Sequence, residues 1–259
     1  MKIAVSGKGG VGKSTIAAAI ALSFAKKGGR VLALDADPDA NLASALGISH
    51  EEQLNIVPIS KQVDLIEERT DTRIDQYGKV FKLNPDVSDI ADKYAYMHKN
   101  IALIVLGAVK TGGGGCACPE STFIRTLVNN LVLYKNDELI MDMEAGIEHL
   151  GRATSQGVDL MLVVVEPGQR SIDCAHTIIR MCEEIGLKKV VFIANKITGK
   201  ADEDYIKKAL PDREFLAFIP YSGVIRNADR DGVSVMDVLD DELKMMFEGI
   251  CNKIEGARK

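Results

Sequence analysis

The segment Gly7-Lys8-Gly9-Gly10-Val11-Gly12-Lys13-Ser14-Thr15 carries the plainest chemistry in this chain. It satisfies the spacing G-x-x-x-x-G-K-[S/T], in which glycines let backbone N–H groups curl around phosphate oxygens. Lys13 is expected to reach the β- and γ-phosphates of a nucleotide, and the Ser14 hydroxyl to ligate Mg²⁺. Gly9, Gly10, Val11, Gly12, Lys13, Ser14 and Thr15 form the expected cradle. Its context supports it. An apolar run, Ile3–Ser6, precedes the loop, and an alanine-rich run, Ser14–Lys27, follows it. The loop therefore opens a helix whose N-terminus adds partial positive charge.

Carboxylates stand where a nucleotide site needs them. The apolar run Val31–Asp35 leads into Ala36-Asp37-Pro38-Asp39-Ala40-Asn41, and Leu139–Asp142 leads into Met143-Glu144-Ala145-Gly146. Acidic residues at the carboxyl ends of parallel strands border the ligand crevice. Asp142, four residues before Gly146, is expected to hold Mg²⁺ through its water shell. Asp39 reads as a helix cap or as a water-mediated contact to the same ion. Asn195-Lys196 ends another strand in the manner of a base-reading pair. Thr198 stands two residues on, where guanine readers carry an acidic acceptor. That favours adenine, and hence ATP and ADP, with Ile219-Pro220-Tyr221 as a second wall.

Cys116-Ala117-Cys118 follows four glycines. Two thiols that close can chelate one soft ion, with Ni²⁺ and Zn²⁺ the leading candidates. Two ligands do not complete a tetrahedral or square-planar site. A second chain related by a two-fold axis would supply the missing pair, which makes a homodimer the expected assembly. Cys174, Cys182 and Cys251 fall on expected helices and read as ordinary buried thiols.

These motifs resemble a known family. Lys8-Gly9-Gly10-Val11-Gly12-Lys13-Ser14 is similar to the deviant Walker A loop of the nitrogenase iron protein, the MinD and ParA positioning ATPases and metal-centre maturation ATPases. The resemblance implies nucleotide-dependent homodimers in which Lys8 contacts the partner's nucleotide, acting much as an arginine finger does. It also implies that Asp37 positions the attacking water. Together with Cys116 and Cys118, the segments Asp35–Asp39, Asp142–Leu150, Val165–Pro167, Asn195-Lys196 and Ile219–Tyr221 narrow the likeness to CooC-type accessory ATPases of carbon monoxide dehydrogenase. That group implies ATP-dependent nickel delivery to a nickel–iron–sulfur enzyme, carbon monoxide dehydrogenase or acetyl-CoA synthase. Glu148 and His149 would then relay between nucleotide and metal, or His149 would simply sit in the helix after the strand.

The elements that must position these groups alternate short apolar runs with amphipathic ones. Strands are expected at Ile3–Ser6, Val31–Asp35, Ile101–Leu106, Leu139–Asp142, Leu160–Glu166, Val190–Asn195 and Leu216–Pro220. Several are apolar throughout, as parallel strands covered on both faces are. Helices are expected at Ser14–Lys27, stopped by Gly28-Gly29, and at Gln169–Ile185, stopped by Gly186. The alternation reads as one α/β domain over 1–259, a doubly wound, mostly parallel sheet with a less regular insertion at about 49–100.

Bulk properties narrow the partners. With 259 residues and a net charge of -5, the chain has no basic face to suggest nucleic acid. The longest apolar runs are strand-length, far from the roughly 20 residues that span a bilayer. The first residues run directly into a strand with no leader pattern, so a cytoplasmic location is expected. The tail Leu243–Ile254 has helical periodicity, but acidic and basic residues balance between Asp241 and Lys259, which argues for packing onto the sheet rather than binding a membrane. Two alternatives stay open: a positioning ATPase of the MinD and ParA kind, and a carrier whose dimer bridges an iron–sulfur cluster.

Overall fold

The computed structural model describes residues 1–73, 80–108, 119–134, 138–146 and 157–256. Its frame is an eight-stranded sheet. In chain order the strands are β1 (Lys2–Gly7), β2 (Val31–Asp35), β3 (Tyr96–His98), β4 (Ile101–Val105), β5 (Glu138–Asp142), β6 (Leu160–Val165), β7 (Val190–Ile197) and β8 (Phe215–Pro220). They lie side by side as β3-β4-β2-β5-β1-β6-β7-β8. Every pairing is parallel except β3 with β4. All seven strands read from the sequence are present, and the sheet is the doubly wound one expected.

The central strands are apolar throughout because both faces are covered. On one face Leu32, Leu34, Ala102, Ile104, Leu139, Met141, Met161 and Val163 meet α4 (Val63–Thr70), α5 (Ile90–Tyr94), α6 (Pro119–Tyr134) and α7 (Gln169–Ile185). On the other, Ile3, Val5, Val31, Ala33, Ile101, Leu103, Leu160 and Leu162 meet α1 (Lys13–Lys26). Every residue of α1 from Ile16 to Ala25 is buried. Small alanine side chains let this helix lie against the sheet on one side and beneath α2 (Leu42–Ala45), α10 (Val235–Val238) and α11 (Asp241–Gly256) on the other. Among the described residues the remaining helices are α3 (His50–Gln53), α8 (Lys200–Ala209) and α9 (Gly223–Asp231), and a 3₁₀ turn spans Ile59–Lys61.

The apolar stripe of α11, namely Leu243, Phe247, Ile250, Cys251 and Ile254, is spent inside this second core. Among the described residues no helix is long and apolar enough to cross a membrane. The described residues between 49 and 100 carry short helices and loops and one strand. β3 closes the sheet edge as an antiparallel strand. Three residues are too few for a period-2 pattern to show in the sequence.

Candidate nucleotide site

The site lies at the carboxyl ends of β1, β2, β5, β6 and β7. β1 ends at Gly7, where the chain must pass close to β6. A Cβ on Gly7 would lie 2.4 Å from the Val164 carbonyl oxygen, so only glycine fits. The loop then turns into α1 through Gly12, whose φ of 98° is left-handed. The first turn of α1 holds no acidic residue, so its free N–H groups and positive dipole end are left for an anion. Lys13 is 7% exposed, and its Nζ lies 3.8 Å from Asp37 Oδ2.

Two carboxylates stand together beneath the loop. Asp35 and Asp142 are register partners on β2 and β5, and both are completely buried. Asp35 Oδ1 accepts from the Asp37 N–H at 3.2 Å, and Oδ2 from the Leu42 N–H at 2.9 Å. It thus ties both ends of the loop 36–41. Burial first, then the neighbouring Asp142 charge, pushes Asp35 up to about 8, against the pull of those two N–H groups.

Asp142 differs. Neither of its oxygens meets a donor in hydrogen-bonding geometry among the described residues. Burial pushes it up to about 6, and the nearby Ser14 hydroxyl and Lys13 ammonium hold the shift down. A buried, unpartnered carboxylate beside the serine of a phosphate loop fits the demand of Mg²⁺ for hard oxygen ligands and ordered water. Asp142 and Ser14 are the residues that would hold the ion. Bound there, Mg²⁺ would supply charge neutralisation to the phosphates.

The flanking loops are fastened to β1 and β2. The Ser6 hydroxyl donates towards the carbonyls of Glu144 at 2.8 Å and Gly146 at 2.9 Å, fixing the segment after β5. Asp37 Oδ1 accepts from the Asp39 N–H at 3.0 Å. Asp39 itself is exposed and caps nothing. The first N–H of α2 is taken by Asp35 instead, because the buried carboxylate lies directly under the helix start.

The carboxyl end of β7 is bound to the phosphate loop. Asn195 Nδ2 donates to the Val11 carbonyl at 2.8 Å, and a Cβ on Gly12 would come within 2.5 Å of that nitrogen. Lys196 Nζ donates to the Gly10 carbonyl. The Thr198 N–H and hydroxyl both donate to Asp202 of α8. Glu166, Pro167, Lys196, Thr198 and Asp202 line an open cleft there. Pro220 is exposed at the end of β8, with the following Tyr221 N–H bonded to Ile197 O at 2.9 Å. The side-chain amide of Asn195, expected from sequence to read the base, is thus bonded to the phosphate loop.

Lys8, Lys13, Ser14, Asp37, Asp142 and Asn195 thus converge at one end of the sheet. Cys116 and Cys118 lie outside the described residues, as do Glu148 and His149. Cys182 and Cys251 are buried free thiols, each pushed up to about 11 by burial, and Cys174 is half-buried. Sequence reasoning missed the roles of Asp35, Ser6 and Glu166.

What this sheet and loop define together is a P-loop ATPase. More particularly, residues 2–235 match the CobQ/CobB/MinD/ParA nucleotide-binding domain, and the chain belongs to that family. It is 43% identical to the carbon monoxide dehydrogenase accessory protein CooC of Rhodospirillum rubrum over 92% of this chain and 90% of that one. An uncharacterised ATP-binding protein of Methanocaldococcus jannaschii is 42% identical over 98% of this chain and 97% of its own length. The resemblance to CooC-type ATPases read from the motifs therefore holds over nearly the whole length. Among solved structures, the MinC:MinD cell division complex of Aquifex aeolicus contains a chain that superimposes with a TM-score of 0.68 at 21% identity, covering 98% of this chain and 95% of that one. That likeness speaks to the fold.

Proposed function

We propose that this ATPase is a homodimeric metallochaperone of the cytoplasm that uses ATP to insert nickel into the nickel–iron–sulfur centre of carbon monoxide dehydrogenase, or of a related acetyl-CoA synthase. The observation that carries the reading is the 43% identity with a carbon monoxide dehydrogenase accessory protein over 92% of the chain. The N–H groups of residues 9–15 bind the phosphates, Lys13 neutralises their charge, and Asp37 orients the attacking water. Lys8 completes the site of the second copy. Asn195 and Pro220 border the adenine. Cys116 and Cys118 of both chains bind one Ni²⁺ ion as cargo, so that closure on ATP reshapes the interface holding it. The whole chain acts as one ATPase domain.

The packed stripe of α11 counts against a membrane-positioning role, since that apolar face is already used. A cluster carrier would be brown as isolated.

Equilibrium dialysis with Ni²⁺ tests the reading. One ion per two chains, lost in Cys116→Ala and in Cys118→Ala, is the expected result. Thiolates must be deprotonated, so binding weakens at low pH. One ion per chain, or binding that survives both substitutions, overturns it.

A further inference from the structure

Strands β1, β6 and β7 are consecutive neighbours, with Gly7 opposite Val164 and Val165 opposite Ala194. The residues that follow or end them arrive side by side: Lys8, Glu166 and Lys196. Glu166 Oε1 accepts from Lys8 Nζ at 3.2 Å and Oε2 from Lys196 Nζ at 3.0 Å. Each lysine also reaches the phosphate loop, Lys8 at the Gly9 carbonyl and Lys196 at the Gly10 carbonyl. The Glu166 backbone is itself pinned, its N–H donating to the buried Ser171 hydroxyl at 3.0 Å. Lys196 sits at a left-handed φ of 59°, which a non-glycine residue holds only where its surroundings impose it. Burial alone would raise the Glu166 carboxyl, but Lys196 and Lys8 together hold it below its ordinary value.

One carboxylate thus bridges two cations with different freedom. Lys196 Nζ is held by the Gly10 carbonyl at 2.5 Å and by Glu166 at 3.0 Å, while Lys8 makes the longer contacts, 3.3 Å to the Gly9 carbonyl and 3.2 Å to Glu166. Both lysine side chains are partly exposed, 36% for Lys8 and 40% for Lys196. If Lys8 leaves, Glu166 keeps Lys196, so departure costs one partly solvated ion pair and bares no buried charge. That is the energetic profile of a reversible latch.

We propose that Glu166 is a positioning residue that holds Lys8 on its own phosphate loop in the resting chain, and so sets how readily Lys8 transfers to the nucleotide of a second copy. This rests on the dimer reading above.

Sedimentation with a non-hydrolysable ATP analogue, over a range of protein concentrations, tests it. Glu166→Gln should dimerise at roughly two- to fivefold lower concentration than the wild type, the size an exposed ion pair allows. Glu166→Asp, too short to span both lysines, should shift in the same direction. In a Lys8→Ala background neither substitution should shift the equilibrium further. A structural defect would weaken the dimer, so a gain that depends on Lys8 is specific. Unchanged or weaker dimerisation of Glu166→Gln beside a wild type that dimerises overturns the latch alone, as does a shift that persists without Lys8. A wild type that stays monomeric with the analogue overturns the dimer reading and the latch together.

Discussion

Lys13 Nζ lies 3.8 Å from Asp37 Oδ2, so the phosphate-loop lysine faces the loop carboxylate that is expected to orient water. Phosphate must compete with Asp37 for that ammonium. Asp37→Ala should therefore leave ATP binding intact or slightly tighter while slowing turnover by about 10²-fold or more, the range for a positioned proton acceptor. Lys13→Ala should weaken ATP binding by about tenfold or more, the loss of one charge-assisted contact, and slow turnover with it. Binding by fluorescence titration and phosphate release by a coupled assay separate the two. Wild-type turnover in Asp37→Ala would remove that residue from the mechanism.

Asp142 gives a second test, because its carboxylate is buried with no hydrogen-bond partner among the described residues. Asp142→Asn keeps the shape and removes the charge. Without nucleotide the variant should unfold in urea no earlier than the wild type, since burial disfavours this carboxylate's charge by more than Ser14 and Lys13 favour it. Its Mg²⁺-dependent turnover should fall by about 10²-fold or more, as when one charge-stabilising group is lost. A marked loss of stability with full activity would assign Asp142 to the scaffold alone.

The third prediction concerns pH and the segment that joins α4 to α5. Arg69 donates to Asp89 Oδ2 at 2.8 Å and to the Asp86 carbonyl at 3.0 Å, clamping α4 to the start of α5. The Arg69 hydrogen bond first, then Lys93, holds the Asp89 carboxyl well below the usual carboxylate range. A carboxylate depressed in the folded state stabilises above its unfolded value of about 3.9 and loses that contribution as pH falls. Arg69→Leu should therefore be less stable than the wild type at about pH 7, and the gap should narrow towards about pH 3. Urea unfolding at both values checks it. A gap that is constant with pH would show that Arg69 acts through packing alone.

The parts of this molecule that were legible in the sequence are local ones. The phosphate loop announces itself by spacing, and α1 and α7 by their glycine stops at Gly28 and Gly186, both with positive φ. The central strands show as unbroken apolar runs because both faces are covered. What was not legible depends on strand order. Glu166 and Lys8 are 158 residues apart and meet only because β6 lies beside β1. Asp35 reads as the end of an apolar strand and as one more acid beside the crevice. Its work as a cap and tether follows from β5 inserting between β1 and β2, which buries it beside Asp142.

The hydrogen bonds from Asn195 and Lys196 to the carbonyls of Val11 and Gly10 couple two properties that are usually tuned apart. On the reading that Asn195 borders the adenine, a side chain at the base also holds the loop expected to grip the phosphates. Re-engineering this enzyme to accept another base by changing Asn195 or Lys196 would disturb its grip on the triphosphate, and improved discrimination at one end would be read out as altered product release at the other. Selectivity in this scaffold is more safely redesigned from α8, where Asp202 borders the same cleft without touching the loop.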